Sequence, residues 1–246
     1  LEFRRVLFRS VFTIQNSVGP VMMGDFHTKF SNVEGFLVKN NAGLVTIRNG
    51  RIMNHDIGVR IQDNNVLVTS IPELSNNRIG ILMESSGSTV NTISNARNNS
   101  EAAVKVTGSG HNVLKVAAGA SGIPNGSGII VTGNNNTVSE NDASFNLGDG
   151  IFISGTGNLV DRNTVERNGG HGINADQSNG ASSTRISNNK ANYNSLQGIR
   201  ACGQTDWGGN TATGNTGSPA IVFNCSPASV TITAIATTVC AGSNVI

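Results

Sequence analysis

Residues 138–175 read VSENDASFNLGDGIFISGTGNLVDRNTVERNGGHGINA, and they contain nearly the same unit twice. Val138-x-x-Asn141-x-Ala143 returns as Val160-x-x-Asn163-x-Val165. Asn146-x-x-x-Gly150-Ile151 returns as Asn168-x-x-x-Gly172-Ile173, 22 residues on. Outward from this pair, a small residue followed by apolar–x–apolar occurs nine times. It begins at Gly35, Gly58, Gly80, Ala103, Gly128, Gly150, Gly172, Gly198 and Ala220, in steps of 23, 22, 23, 25, 22, 22, 26 and 22 residues. A fixed period of this length is the signature of a stacked repeat architecture.

Asparagine keeps the same beat. Asn54, Asn76, Asn99, Asn146, Asn168 and Asn194 each lie four residues before the small residue, and Asn49, Asn141, Asn163 and Asn189 five residues earlier still. Each unit therefore reads as short alternating strands separated by Asn/Gly corners. Such a unit cannot bury its apolar side alone and must stack on its neighbours. Coiling places equivalent residues about 4.8 Å apart. Ile81, Val104, Ile129, Ile151, Ile173, Ile199 and Ile221 then form an internal aliphatic column, and the asparagines form ladders at inward corners, each amide donating to the next. The repeat glycines are expected at corners that need positive φ. Nine coils make a rod roughly 43 Å long.

Composition agrees. The 246 residues include 30 Gly and 34 Asn, poor helix formers. Charged residues are 13% and aromatics 4%. Low charge with plentiful Val and Ile excludes disorder, and no apolar run is long enough for a membrane-spanning helix. Leu1–Ser10 (LEFRRVLFRS) stands apart, with three Arg and no Asn or Gly, and is expected to be a non-native scar. Without it the balance is 14 basic against 14 acidic residues. No basic patch interleaves with aromatics, so nucleic acid is not an indicated partner. Residues 11–30 are expected to form an N-terminal cap or partial coil, 31–225 the solenoid, and 226–246 a linker and the start of another β-module.

The Asn-x-x-x-Gly-Ile cadence resembles the right-handed parallel β-helix family, the pectin-lyase-like superfamily. Within it, the chain is similar to the repeat-rich branch of periplasmic copper-maturation proteins and secreted bacterial surface proteins. The resemblance implies an all-β, right-handed coil. Ser229–Ile246 resembles the opening of the immunoglobulin-like modules that follow such rods, which implies a longer multidomain chain. Fold does not carry function, so chemistry is sought on the outward positions.

Cys202 and Cys225 sit three and four residues after Ile199 and Ile221 in adjacent coils and are expected within disulfide reach. This favours a secreted or cell-surface setting. Cys240 needs another partner. On the main strand, Ile130 and Phe152 are adjacent outward apolar residues, a place to stack a sugar ring or to pack a loop. Phe145, Arg167 and Tyr193 follow one another at a corner, a cation–π column that either binds a glycan or stiffens an exposed face. Asp149 and His171 stack just before the main strand, with Asp176 and Arg200 nearby, the raw material of acid–base chemistry.

Gly170-His171-Gly172 matches a polygalacturonase tripeptide. The Asn-Thr-Asp, Asp-Asp and Arg-Ile-Lys segments that accompany it in that family are absent. Asp149, Asp176 and Arg200 resemble the calcium ligands and proton abstractor of pectate lyases, but two carboxylates are few for a calcium cage. His27, His55, His111 and His171 are scattered, so copper ligation is not indicated, and no metal or cofactor is expected outside the lyase reading. The expected function is a non-catalytic rod presenting a face to a polysaccharide or surface glycan. The alternative is a lyase, hydrolase or epimerase acting on acidic polysaccharide.

Overall fold

The structure is a computed structural model that describes residues 10–29 and 33–225. The described residues form a parallel β-solenoid. One sheet has ten strands, stacked in chain order from Ser10–Gln15 through Glu34–Lys39 and Ile57–Ile61 to Ile199–Arg200 and Ile221–Val222. A second sheet of twelve strands runs along another side of the coil. All nine small–apolar–x–apolar segments fall on the first sheet. The only helix among the described residues is the 3₁₀ turn Gln177–Asn179, and no helix is long and apolar enough to cross a membrane. The cap region already pairs in register: Ser10–Gln15 with Glu34–Lys39, Val21–Met23 with Val45–Arg48, and His27–Lys29 with Arg51–Met53. The segment expected to be non-native lies outside the described residues except for Ser10, which starts the first strand. The expected immunoglobulin-like start and Cys240 also lie outside them.

The aliphatic column forms as expected. Ile81, Val104, Ile129, Ile151, Ile173, Ile199 and Ile221 are consecutive register partners. The first six are fully buried; Ile221, in the last coil, is half-buried.

Two asparagine ladders run beside this column. The first is Asn77–Asn99–Asn125–Asn146–Asn168–Asn194–Asn215. The second is Asn141–Asn163–Asn189–Asn210. Five of the six links in the first ladder, and all three in the second, carry two bonds. The amide Nδ2 and the peptide N–H of one asparagine both donate to the Oδ1 of the next.

Asn54 and Asn76 do not belong to the ladder, contrary to the sequence expectation. They adopt positive φ of 62° and 57° at the outer corner, and the following residues, His55 and Asn77, turn inward. The same outer position is held by Asn98, Phe145, Arg167 and Tyr193, all with φ between 51° and 59°. Asn49 likewise lies outside, at φ 53°, at a second corner. There the inward position is aliphatic in the earlier coils (Ile71, Ile93, Val116) and switches to the Asn141 ladder later. A third inward column was not legible: Ser88, His111, Asn136 and Asn158 each accept a peptide N–H from the coil before.

The repeat glycines also have a different cause from the one expected. Gly35, Gly58, Gly80, Gly128, Gly150, Gly172 and Gly198 do not have positive φ. They lie where the cross-section is narrowest. A Cβ on Gly150 would come within 2.2 Å of Val165 Cγ1, and one on Gly172 within 2.5 Å of the Gly198 oxygen.

Candidate functional site

On the outer face of the ten-stranded sheet, Lys105, Ile130, Phe152, Asn174, Arg200 and Val222 are successive register partners. Ile130 and Phe152 are adjacent across the two strands, as expected, and each is half-buried. Asn174, the next residue of this outward column, is buried. Its Nδ2 donates to Asp149 Oδ2 at 2.9 Å and its Oδ1 accepts from Asn179 Nδ2 at 3.1 Å. The turn at Gln177–Asn179, an insertion that lengthens this coil to 26 residues, folds back over the strand and covers it.

Asp149, His171, Asp176 and Arg200 are brought together, but in pairs that differ from an acid–base dyad. Asp149 Oδ1 accepts the peptide N–H of His171 at 2.7 Å, so this carboxylate oxygen holds the backbone rather than the ring. The imidazole is buried, and its Nδ1 has no hydrogen-bond partner. Burial pulls its pKa below the ordinary histidine value, helped by the Arg200 charge and opposed by Asp149, the Gln197 backbone and Asp176. The ring is therefore neutral at pH 7. Asp176 is buried at 3% exposure; it caps the 3₁₀ turn by accepting from Ser178 N at 2.8 Å and pairs with Arg200 Nε. Burial alone would raise its pKa; the Ser178 N–H and the guanidinium outweigh that and hold the carboxyl below the usual range.

The Gly-His-Gly tripeptide has a packing cause. A Cβ on Gly170 would lie 2.4 Å from Asp149 Oδ1, and Gly172 is one of the narrow-section glycines. Beyond Asp176 and Arg200 an open cleft of about 880 Å³ is lined by Gln177, Gly203, Phe223 and the Cys202–Cys225 disulfide. The two cysteines have Cα atoms 5.2 Å apart, so the sequence expectation of reach is met. Among the described residues, no group of three or more His, Cys, Asp or Glu side chains is placed to hold a metal ion.

At the corner, Arg167 lies 5.6 Å from the Phe145 ring centroid and 5.0 Å from that of Tyr193. The Tyr193 ring also lies over Gly214, where a Cβ would approach within 2.4 Å. Tyr193 is thus flanked by Arg167 of the preceding coil and Gly214 of the following one, and stays exposed. A second such pair, Arg185 over Trp207 at 4.7 Å, was not anticipated.

No curated protein and no solved structure matches the chain. Residues 34–216 match the family described as the right-handed β-helix region. That match spans both ladders and the strands from Glu34–Lys39 to Thr205–Asp206, and the chain belongs to this family of right-handed β-helix proteins.

Proposed function

We propose that the protein is an extracytoplasmic β-helix rod whose ten-stranded sheet presents a glycan-binding face without catalysis. The observation that carries this reading is the engagement of the polar groups on that face. Asp149 is tied to the His171 peptide and the Asn174 amide, and Asp176 to Ser178 and Arg200. His171 is buried and neutral. A general acid and base need freedom to exchange protons with a substrate. Ile130 and Phe152 supply an apolar platform beside Lys105 and Arg200, a combination suited to a sugar ring with polar substituents. The Cys202–Cys225 disulfide supports an oxidising compartment.

Glycan-array binding followed by titration tests the reading. Retention of oligosaccharides without chemical change is expected, with Phe152→Ala weakening binding about tenfold and His171→Ala having little effect. Incubation with pectin, alginate and related polyuronates, with and without calcium, is expected to release no unsaturated product, reducing ends or epimerised residues. Turnover lost on substitution of His171, Asp149 or Asp176 would overturn the reading in favour of a lyase, hydrolase or epimerase.

A further inference from the structure

The coil from Gly172 to Gly198 is 26 residues long, against 22 for each of the two coils before it. Register holds at Phe152↔Asn174 and again at Thr156↔Ser182, so the four extra residues lie between Asn174 and Ser182. There the chain makes its 3₁₀ turn, Gln177–Asn179, closed by Gly180 at φ 88°, and residues 177–180 are all exposed. The coils on both sides hold this turn. Asn179 Nδ2 donates to Asn174 Oδ1 at 3.1 Å, and Asn174 Nδ2 donates to Asp149 Oδ2 of the preceding coil at 2.9 Å. Gln177 N donates to the Cys202 oxygen of the following coil at 3.0 Å, and Asp176 pairs with Arg200 there. Gly180 lies against the preceding coil, where a Cβ would come 3.2 Å from the Ser154 oxygen.

The turn stands across one end of the apolar platform. Along the outer column the order is Lys105, Ile130, Phe152, Asn174 and Arg200. Ile130 and Phe152 are half-buried, whereas Asn174 is only 9% exposed under the turn. The platform thus runs along the rod axis for two coils and ends beside Asn174. One coil step is about 4.8 Å, close to the length of one sugar unit in a polysaccharide. Because the two apolar side chains are stacked along the axis, sugars carried on them follow it. Beyond Phe152 such a chain meets the side of the turn.

We infer, resting on the glycan-binding reading above, that the turn at residues 177–180 is a stop and that the face takes the end of a polysaccharide chain rather than its interior. An internal segment has to continue past Phe152, which means displacing the turn and leaving the buried Asn174 oxygen without its partner. A chain end needs no displacement. An end sugar also keeps a free hydroxyl that an internal sugar has engaged in a glycosidic bond. The exposed Gln177, Ser178 and Asn179 supply donors and acceptors for that hydroxyl. The turn is held in place before a ligand arrives, so binding needs no ordering of it.

Isothermal titration calorimetry of the full chain against homogalacturonan, alginate and xylan, each intact and partly hydrolysed, tests the stop. Protein bound per gram is expected to rise in proportion to the chain ends that hydrolysis creates, counted as reducing ends, with the affinity per site unchanged. A capacity that hydrolysis leaves unchanged or lowers overturns the stop while the glycan-binding reading holds. Binding to neither form of any of these polysaccharides overturns both. Deleting residues 177–180 returns the coil to 22 residues. The deletion variant is expected to bind intact chains along their length, with a several-fold higher capacity that no longer follows the ends. A folded deletion variant that still counts ends overturns the stop. If circular dichroism shows the deletion variant unfolded, Asn179→Ala, which removes the bond to Asn174, takes its place. It is expected to raise the capacity of intact chains, and no rise overturns the stop.

Discussion

Asn163 and Asn189 are joined by two hydrogen bonds to one oxygen: Asn189 Oδ1 accepts the Asn163 peptide N–H at 2.9 Å and its Nδ2 at 3.0 Å. Asn163 in turn presents its own Oδ1 to the N–H and Nδ2 of Asn141. Each rung thus satisfies main chain and side chain together, and one amide ties three coils.

Asn163→Leu breaks these contacts on both sides at a site only 1% exposed. The loss expected is about 1–3 kcal/mol, read from urea unfolding. Ser94→Ala, on an exposed strand position, is the comparison and should stay within about 0.5 kcal/mol. A loss of a few tenths for Asn163→Leu would mean that the column is not holding the coils.

Gly150→Ala separates close approach from backbone conformation. The new Cβ meets Val165 at 2.2 Å and the Ala143 oxygen at 2.7 Å, with no positive φ involved, and about 3 kcal/mol should be lost. Gly87→Ala has a φ of +64° and nothing within 4 Å, so it should cost only about 1 kcal/mol of backbone strain. Thermal melts of both variants check the order; the reverse order contradicts the narrow-section account.

His111 makes stability depend on mild acid. Its Nδ1 accepts the Ser88 N–H at 3.0 Å, leaving Nε2 to donate to the Ser85 oxygen at 2.9 Å, and the ring is fully buried. A proton on Nδ1 would face that N–H. Burial lowers its pKa, as it does for His55 and His171. The unfolded chain therefore takes up protons first. Stability is full above the ordinary value of 6.5 and falls as pH drops from there through the lowered folded-state value. Urea midpoints should decline between about pH 7 and pH 5. The decline should be smaller in His111→Asn, which resembles the neighbouring Asn136 rung.

The Cys202–Cys225 disulfide closes a 23-residue separation across the last coils. Reduction, or Cys225→Ser, should cost about 3 kcal/mol, with exchange accelerated mainly around Ile199–Arg200 and Ile221–Val222 rather than along the whole rod. Unchanged unfolding under reductant would remove the disulfide from the account of the C-terminal end.

The repeat glycines, the aliphatic triplets and the asparagine beat were legible because a solenoid repeats one local solution, so each side chain type recurs at the spacing of its role. The disulfide was legible for the same reason: equal offsets in adjacent coils mean proximity. The site was legible only as a neighbourhood. The grouping of Asp149, His171, Asp176 and Arg200 follows from the repeat, but Asp176 and Asn174 are oriented by the turn at Gln177–Asn179, the only helical turn among the described residues.

The sequence by itself determined the architecture, the period, the apolar column and which residue type would line the corners. It did not decide which member of an Asn-Asn pair turns inward. At Asn76-Asn77 both side chains have the same chemistry, and the choice falls on Asn77 because only that residue meets Asn99 once the coils are stacked. Tertiary structure likewise decided that Asn174 is covered and that Gly150 avoids a collision rather than a forbidden φ. Each depends on what a neighbouring turn or coil presents once the chain has wound back beside it.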